Sequence, residues 1–207
     1  TDYVAAAIVT ELERIWGCQV FNHYGATEMG LGGGVDCEAR RGYHLREADL
    51  YFEIVHPETG EPVPEGEIGE VVFTTLTRRG MPLIRYRMGD RSRFLPGKCP
   101  CGTSLRTMEK ARGRFSGFIS VGGETLKLPD FDEALFSIPG LLNFSVTVTG
   151  IGAEASLLVE TQMLTSVDCA HLVEAALQGI SPLKKVVRCH YNPKETGSLL
   201  KRVIQRG

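Results

Sequence analysis

The sequence predicts an α+β protein in two parts: a helix leading into an antiparallel β meander or small barrel, then a small ferredoxin-like α+β unit. Three patterns predict this. An apolar stripe at helical spacing opens the chain, short alternating runs cut by turn residues fill positions 43 to 94, and beyond position 117 strand-like and helix-like segments follow in the order strand, helix, strand, strand, helix, strand.

Taken in order, Val4, Ile8, Leu12, Ile15 and Trp16 form the helical stripe, with Glu11, Glu13 and Arg14 on the other face and Gly17 as its end. "CQVFN" (18–22) reads as a short buried strand that runs into the turn "HYGATEMG". "LYFEIV", "EVVFTTL" and "PLIRYRMGD" read as strands, the first two joined by the proline- and glycine-rich "HPETGEPVPEGEIG", in which His56 opens a turn. "KCPCGTSLRTMEKARGR" breaks this rhythm. After it come a hairpin ("FISVGG", "ETLKL"), a short helix closed by Pro139 and Gly140, the strands "LNFSVTV" and "ASLLVET", an amphipathic helix N-capped by Ser166 and bearing His171, and a last strand "KKVVRCHYN". A boundary near Gly113 divides the chain into 1–112 and 113–207.

With 207 residues, 43% of them hydrophobic and 23% charged, the chain can bury a core. The net charge of −2 supplies no field that would draw it to nucleic acid or an anionic membrane. No run of 18 apolar residues and no leader pattern is present. Six cysteines, at 18, 37, 99, 101, 169 and 189, are too sparse for a disulfide scaffold and suit a reducing cytoplasm. Cys18, Cys169 and Cys189 read as core-facing.

Three pieces could carry chemistry. In "YGATE", the Thr27 hydroxyl can donate to a phosphate, the adjoining Glu28 can hold Mg²⁺, Gly25 lets a ligand approach the backbone, and Tyr24 offers a flat face to a base. In "IRYRMGD", Asp90 at a strand end can accept from both hydroxyls of a ribose. In "ARGR", Arg114 can clamp a phosphate. Each piece alone also fits an ordinary turn or ion pair. A fourth feature is Cys99-Pro-Cys101-Gly, a thiol knuckle that Cys37 and His44 could complete as a Cys₃His zinc set, although a single intervening residue is tighter than the usual spacing. Buried thiols or a disulfide remain the alternative. "GLGGG" (30–34) lacks the context of a dinucleotide fingerprint and reads as a flexible loop around an acyl pocket that His23 could line.

In this order and spacing the pieces resemble the adenylate-forming superfamily, and most closely its branch of phenylacetate–coenzyme A ligases and coenzyme F390 synthetases. The residues that carry the resemblance are "HYGATEMG", "HPETGEPVPEGEIGEVVFTTLTRRGMPLIRYRMGD", "CPCG", Gly113-Arg114 and "IPGL". The resemblance implies that 1–112 is the end of the large nucleotide-binding domain and 113–207 a mobile lid. It implies ATP, Mg²⁺, coenzyme A and a small carboxylic acid as ligands, with a structural zinc and a homodimer left open. It assigns Tyr24 and Gly25 to the nucleotide, Thr27 to the α-phosphate, Glu28 to Mg²⁺, Asp90 to the ribose and Arg114 to ribose or phosphate. The family's phosphate loop lies upstream of its match to Tyr24, so a chain that starts at Thr1 is expected to be a C-terminal portion, inactive alone. Two departures stand out: Phe115-Ser116-Gly117 replaces the acidic hinge, and Lys201 lies three residues beyond the position of the family's catalytic lysine, which follows a glycine directly. An adenylating enzyme of a non-CoA acceptor and a non-catalytic zinc-stabilised module are the alternatives.

Overall fold

The computed structural model describes residues 3–111, 113–115, 117–121, 123–150, 154–164, 169–191 and 202–207. The chain forms two compact units, Thr1–Tyr3 with Cys18–Ser116, and Val4–Gly17 with Gly117–Gly207.

The first unit is built on two small sheets. Strands β4 (Leu50–Val55), β5 (Gly69–Thr75) and β6 (Tyr86–Ser92) form an antiparallel meander. Their inward residues meet in a core that includes Leu50, Phe52, Phe73 and Met108. β5 is buried along most of its length because its run of Val71, Val72 and Phe73 has cover on both faces. His56 accepts the amide N–H groups of Glu58 and Thr59, so the imidazole closes the turn it opens. The second sheet, in the order β1-β2-β3-β7, joins β1 (His23–Tyr24), β2 (Gly34–Val35), β3 (Tyr43–Leu45) and β7 (Thr107–Met108), all antiparallel. The strand expected at 18–22 is not formed. Only His23 and Tyr24 pair, and Cys18 is exposed rather than core-facing.

Helix α1 (Ala6–Trp16) ends where expected, at Gly17, whose left-handed φ of 63° lets its N–H reach the Glu13 carbonyl. It groups with the second unit, where the Ala6 amide donates to the Glu133 carboxylate at 3.2 Å.

The second unit holds the expected hairpin, β8 (Phe118–Val121) with β9 (Glu124–Lys127), then α2 (Leu128–Leu135), β10 (Leu141–Thr149), β11 (Ser156–Met163), α3 (Ala170–Leu177), β12 (Lys184–Tyr191) and β13 (Val203–Arg206). The four-stranded sheet runs β12-β11-β10-β13, with β10 and β11 antiparallel and both outer strands parallel to their neighbours. This differs from the strand order of a split βαβ unit. The segment expected to open that unit is spent on the separate β8–β9 hairpin, and β13 fills the sheet edge instead. Phe131 and Leu135 of α2 and Val173 and Leu177 of α3 pack with Phe144, Val146, Leu157 and Val159 of the sheet. Cys169 and Cys189, read as core-facing, are joined by a disulfide that the sequence reading did not anticipate. Cys169 is indeed fully buried. Ser166, expected to cap α3, lies outside the described residues, as do Ser116 and Lys201. Among the described residues no helix is long and apolar enough to cross a membrane.

Candidate functional site

The site is built in the first unit, around the carboxylate of Asp90. Tyr24 is 97% buried, with its ring stacked on Tyr43 at a centroid distance of 5.8 Å. Its hydroxyl donates to Asp90 Oδ2 at 2.8 Å, and Arg114 Nε stands 3.4 Å from Oδ1. Asp90 and Arg114 are also bridge partners in the backbone, so the three residues marked by separate motifs are brought together. Burial and the neighbouring carboxylate push the Tyr24 hydroxyl far above its ordinary value, which keeps it a neutral donor. Tyr43, buried beside Asp36, is pushed up to about 12.

Thr27 and Glu28 lie on a single 3₁₀ turn, Thr27–Met29, held down by the buried Met29 side chain and by Arg46, whose guanidinium donates to the Met29 carbonyl at 2.8 Å. Thr27 is exposed and Glu28 half-buried. The Tyr86 hydroxyl donates to Glu28 Oε1 at 3.3 Å. Strand β6 therefore supplies both Tyr86, which steadies Glu28, and Asp90. Gly25 sits where the turn crosses the following loop: a Cβ there would stand 2.7 Å from Gly32 Cα. The glycine is required by close approach, as Gly33 N–H donating to the Tyr24 carbonyl at 2.7 Å confirms.

The four proposed metal ligands also come together. One donor atom from each of Cys37, His44, Cys99 and Cys101 lies within 4.8 Å of the other three. Cys37 Sγ is 3.6 Å from Cys99 Sγ, and Cys101 Sγ is 3.3 Å from His44 Nε2. Two sulfurs on a tetrahedral zinc, each about 2.3 Å from the metal, stand about 3.7 Å apart, so the donor set fits. His44 Nδ1 contacts Thr107 Oγ1 at 3.3 Å, the outer-shell bond that orients a ligating imidazole. The backbone N–H of Cys101 lowers the Cys99 thiol, whereas burial raises that of Cys37.

His44 has a second neighbourhood. With His23, Leu31, Val35, Leu45 and Leu105 it lines a mainly apolar cleft of about 400 Å³. The "GLGGG" segment thus contributes Leu31, Gly32 and Gly34 to a cleft wall, and part of it is ordered as β2.

Tyr86, Tyr43 and Glu70 also belong to this site, although none of them was singled out from the sequence. Glu70 had a signal that was passed over, a carboxylate set directly before the apolar run Val71-Val72-Phe73 in a strand.

The chain matches solved structures over nearly all its length. A 2-hydroxyisobutyryl-CoA ligase bound to 2-HIB-AMP superposes with a TM-score of 0.80 at 21% identity, covering 96% of this chain and 45% of that one. Apo MatB from Rhodopseudomonas palustris gives 0.57 at 16% identity, covering 92% of this chain and 40% of that one. The fold is that of the adenylate-forming CoA ligases. More particularly, the curated homologues are phenylacetate-coenzyme A ligases. That of Thermus thermophilus is 36% identical over 160 residues, 74% of this chain and 36% of the relative. That of Aromatoleum evansii is 39% identical over 137 residues, 65% and 30% respectively, and that of Escherichia coli 33% over 163 residues, 77% and 37%. The chain thus spans about a third of the length of these relatives. No family model matches it.

Proposed function

We propose that the protein carrying this chain is an ATP-dependent acid–thiol ligase, and that the first unit contributes the ribose and metal side of its nucleotide site. The observation that carries the reading is the meeting of Tyr24, Asp90 and Arg114, residues from three separate segments, on one carboxylate. A carboxylate held by two fixed partners and set at a strand bulge is preorganised to accept the two hydroxyls of a ribose.

In the proposed reaction the carboxylate of a small acid attacks the α-phosphorus of ATP. The bond to pyrophosphate breaks, leaving an acyl-adenylate, and a thiol then displaces AMP to give the thioester. The acid is already ionised near neutral pH, so the first step needs alignment and charge neutralisation rather than a general base. Thr27, exposed at the turn, donates to an α-phosphate oxygen. Glu28, steadied by Tyr86, is the oxygen ligand for Mg²⁺, which neutralises phosphate charge when bound. Tyr24 holds Asp90 through its hydroxyl, and its buried ring, stacked on Tyr43, backs the place proposed for the adenine. Arg114, whose side chain is more than half exposed, reaches from Asp90 towards ribose or phosphate. The apolar cleft bordered by His23 receives the acid's side chain. Cys37, His44, Cys99 and Cys101 would hold a structural zinc, which with three thiolates and an imidazole as ligands would stabilise the unit without taking part in acyl transfer. Coenzyme A as the thiol, a homodimeric state, a cytoplasmic location and Lys201 as the adenylation lysine belong to the same proposal.

The test is acid-dependent exchange of pyrophosphate into ATP by the full-length protein, compared with its Asp90→Ala variant. Exchange with an aryl or short-chain acid, weakened in the variant through a raised KM for ATP, supports the reading. Absence of exchange with every acid, in a protein that still binds ATP, points to a non-carboxylate acceptor instead.

A further inference from the structure

Strand β6 does not pair regularly with β5. Val72 faces Arg87 and Glu70 faces Arg91, so a two-residue step on β5 spans four residues of β6. Met88–Asp90, three residues set against Val71 alone, bulge out of the ladder and carry Asp90 with them. Gly89, at φ 72°, takes the left-handed conformation the bulge needs, and an added Cβ would meet nothing within 4 Å; the requirement for glycine is conformational.

A bulge costs a strand its ladder hydrogen bonds, and a buried amide left without an acceptor is strongly unfavourable. Here the Gly89 N–H donates to Glu70 Oε1 at 3.0 Å. The other oxygen of Glu70 accepts from the Arg87 guanidinium, whose Nε lies 2.9 Å away. Glu70 itself is 6% exposed. A buried carboxylate is held at this depth because both its oxygens are bonded, one of them to a cation. On the opposite side the Gly89 carbonyl accepts from Phe115 N–H at 2.9 Å, and Arg91 N–H donates to the Gly113 carbonyl at 3.1 Å. Gly89, the residue that precedes Asp90, is therefore fixed through both its N–H and its carbonyl, and Glu70 is the side-chain half of that clamp.

We propose that Glu70 is the positioning residue for Asp90: it sets the bulge that aims the Asp90 carboxylate, and so governs discrimination at the sugar of the nucleotide. This rests on the reading of Asp90 as the ribose acceptor. Glu70 touches neither ligand nor reacting atoms; it acts through the Gly89 amide.

The experiment compares ATP with 2′-deoxy- and 3′-deoxy-ATP in pyrophosphate exchange by the full-length protein and its Asp90→Ala, Glu70→Asp and Glu70→Gln variants. Glu70→Asp keeps the charge but, one methylene shorter, cannot reach the Gly89 amide. It is expected to lower the preference for ATP over the deoxy nucleotides by roughly tenfold, the size of one lost charge-assisted hydrogen bond, while leaving KM for the acid unchanged. Glu70→Gln retains an oxygen acceptor for Gly89 and is expected to keep most of the preference. Loss of preference in Asp90→Ala with full preference in Glu70→Asp overturns the inference and leaves the ribose reading intact. Equal use of all three nucleotides by the unmodified protein overturns the ribose reading itself, and this inference with it. Should Glu70→Asp not fold, Glu70→Asn takes its place: it is equally too short for the Gly89 amide but buries no charge, and an unaltered preference there likewise overturns the inference.

Discussion

His44 Nε2 lies 3.3 Å from Cys101 Sγ, and the same imidazole forms part of the wall of the apolar cleft. One residue of β3 thus belongs to two neighbourhoods. The knuckle 99–101 also precedes Leu105, another lining residue, and Cys37 follows β2, which supplies Gly34 and Val35. A metal at this cluster would tie together three segments that form the cleft.

Removal of that metal is therefore expected to act on the acid rather than on the nucleotide. If the cluster holds zinc, chelation or Cys99→Ser should lower both the zinc content and the thermal midpoint. In the full-length protein KM for the acid should rise while KM for ATP stays within about twofold, a shift of less than about 0.5 kcal/mol. Undiminished zinc content in Cys99→Ser would remove Cys99 from the ligand set.

Tyr24→Phe deletes the hydroxyl that donates to Asp90 Oδ2 and leaves a buried carboxylate oxygen with one partner fewer. KM for ATP is expected to rise roughly three- to tenfold. Because the ring and its stack on Tyr43 remain, the thermal midpoint should move little. A large loss of stability with unchanged KM would make the hydroxyl structural.

Glu28→Gln keeps the bond to Tyr86 but loses the negative charge. Activity titrated against Mg²⁺ is expected to need a higher concentration for half-saturation and to reach a lower plateau. An unchanged Mg²⁺ curve would take Glu28 out of the metal site.

Gly25→Ala drives a methyl group to 2.7 Å from Gly32 Cα, a backbone atom that can move only with its loop. The loop 31–35 should shift, raising KM for the acid and lowering stability. Phe52→Ala, by contrast, is purely a core deletion at a fully buried ring and should cost about 3–5 kcal/mol in a denaturation experiment, without a selective effect on either substrate.

The sequence carried the fold class and also a set of candidate residues, each for a different reason. Tyr24, Asp90 and Arg114 stood out as candidates because each belongs to a motif whose residue types match one ligand chemistry, and the four candidate metal donors because thiols and imidazole are few. Glu70 and Tyr86 were not, since their roles depend on a strand register that slips by two residues, and no local pattern encodes where a slip will fall. The run 18–22 was misread for a related reason: an apolar string predicts a strand only when a partner strand lies beside it, and here only its last neighbours, His23 and Tyr24, find one in β2. The order of the second sheet was hidden too, because whether a hairpin joins a sheet or stands beside it is decided by packing and not by periodicity. Lys201, displaced from the position where the resembled family has its lysine, lies outside the described residues.

The sheet β1-β2-β3-β7 has a consequence for how the protein is made. Its fourth strand, Thr107–Met108, pairs with Tyr43 and His44, and Cys99 meets Cys37 from 62 positions away. A chain emerging from the ribosome forms the β4–β5–β6 meander from neighbours in sequence, but must wait for residue 108 before this sheet can close. The cleft is thus assembled from the first and the last parts of its unit. Until synthesis reaches the last of them, three thiols and an imidazole remain open to whatever metal or oxidant is at hand, so if the cluster takes zinc, its supply during translation, and not only afterwards, would bear on how many chains acquire a finished cleft.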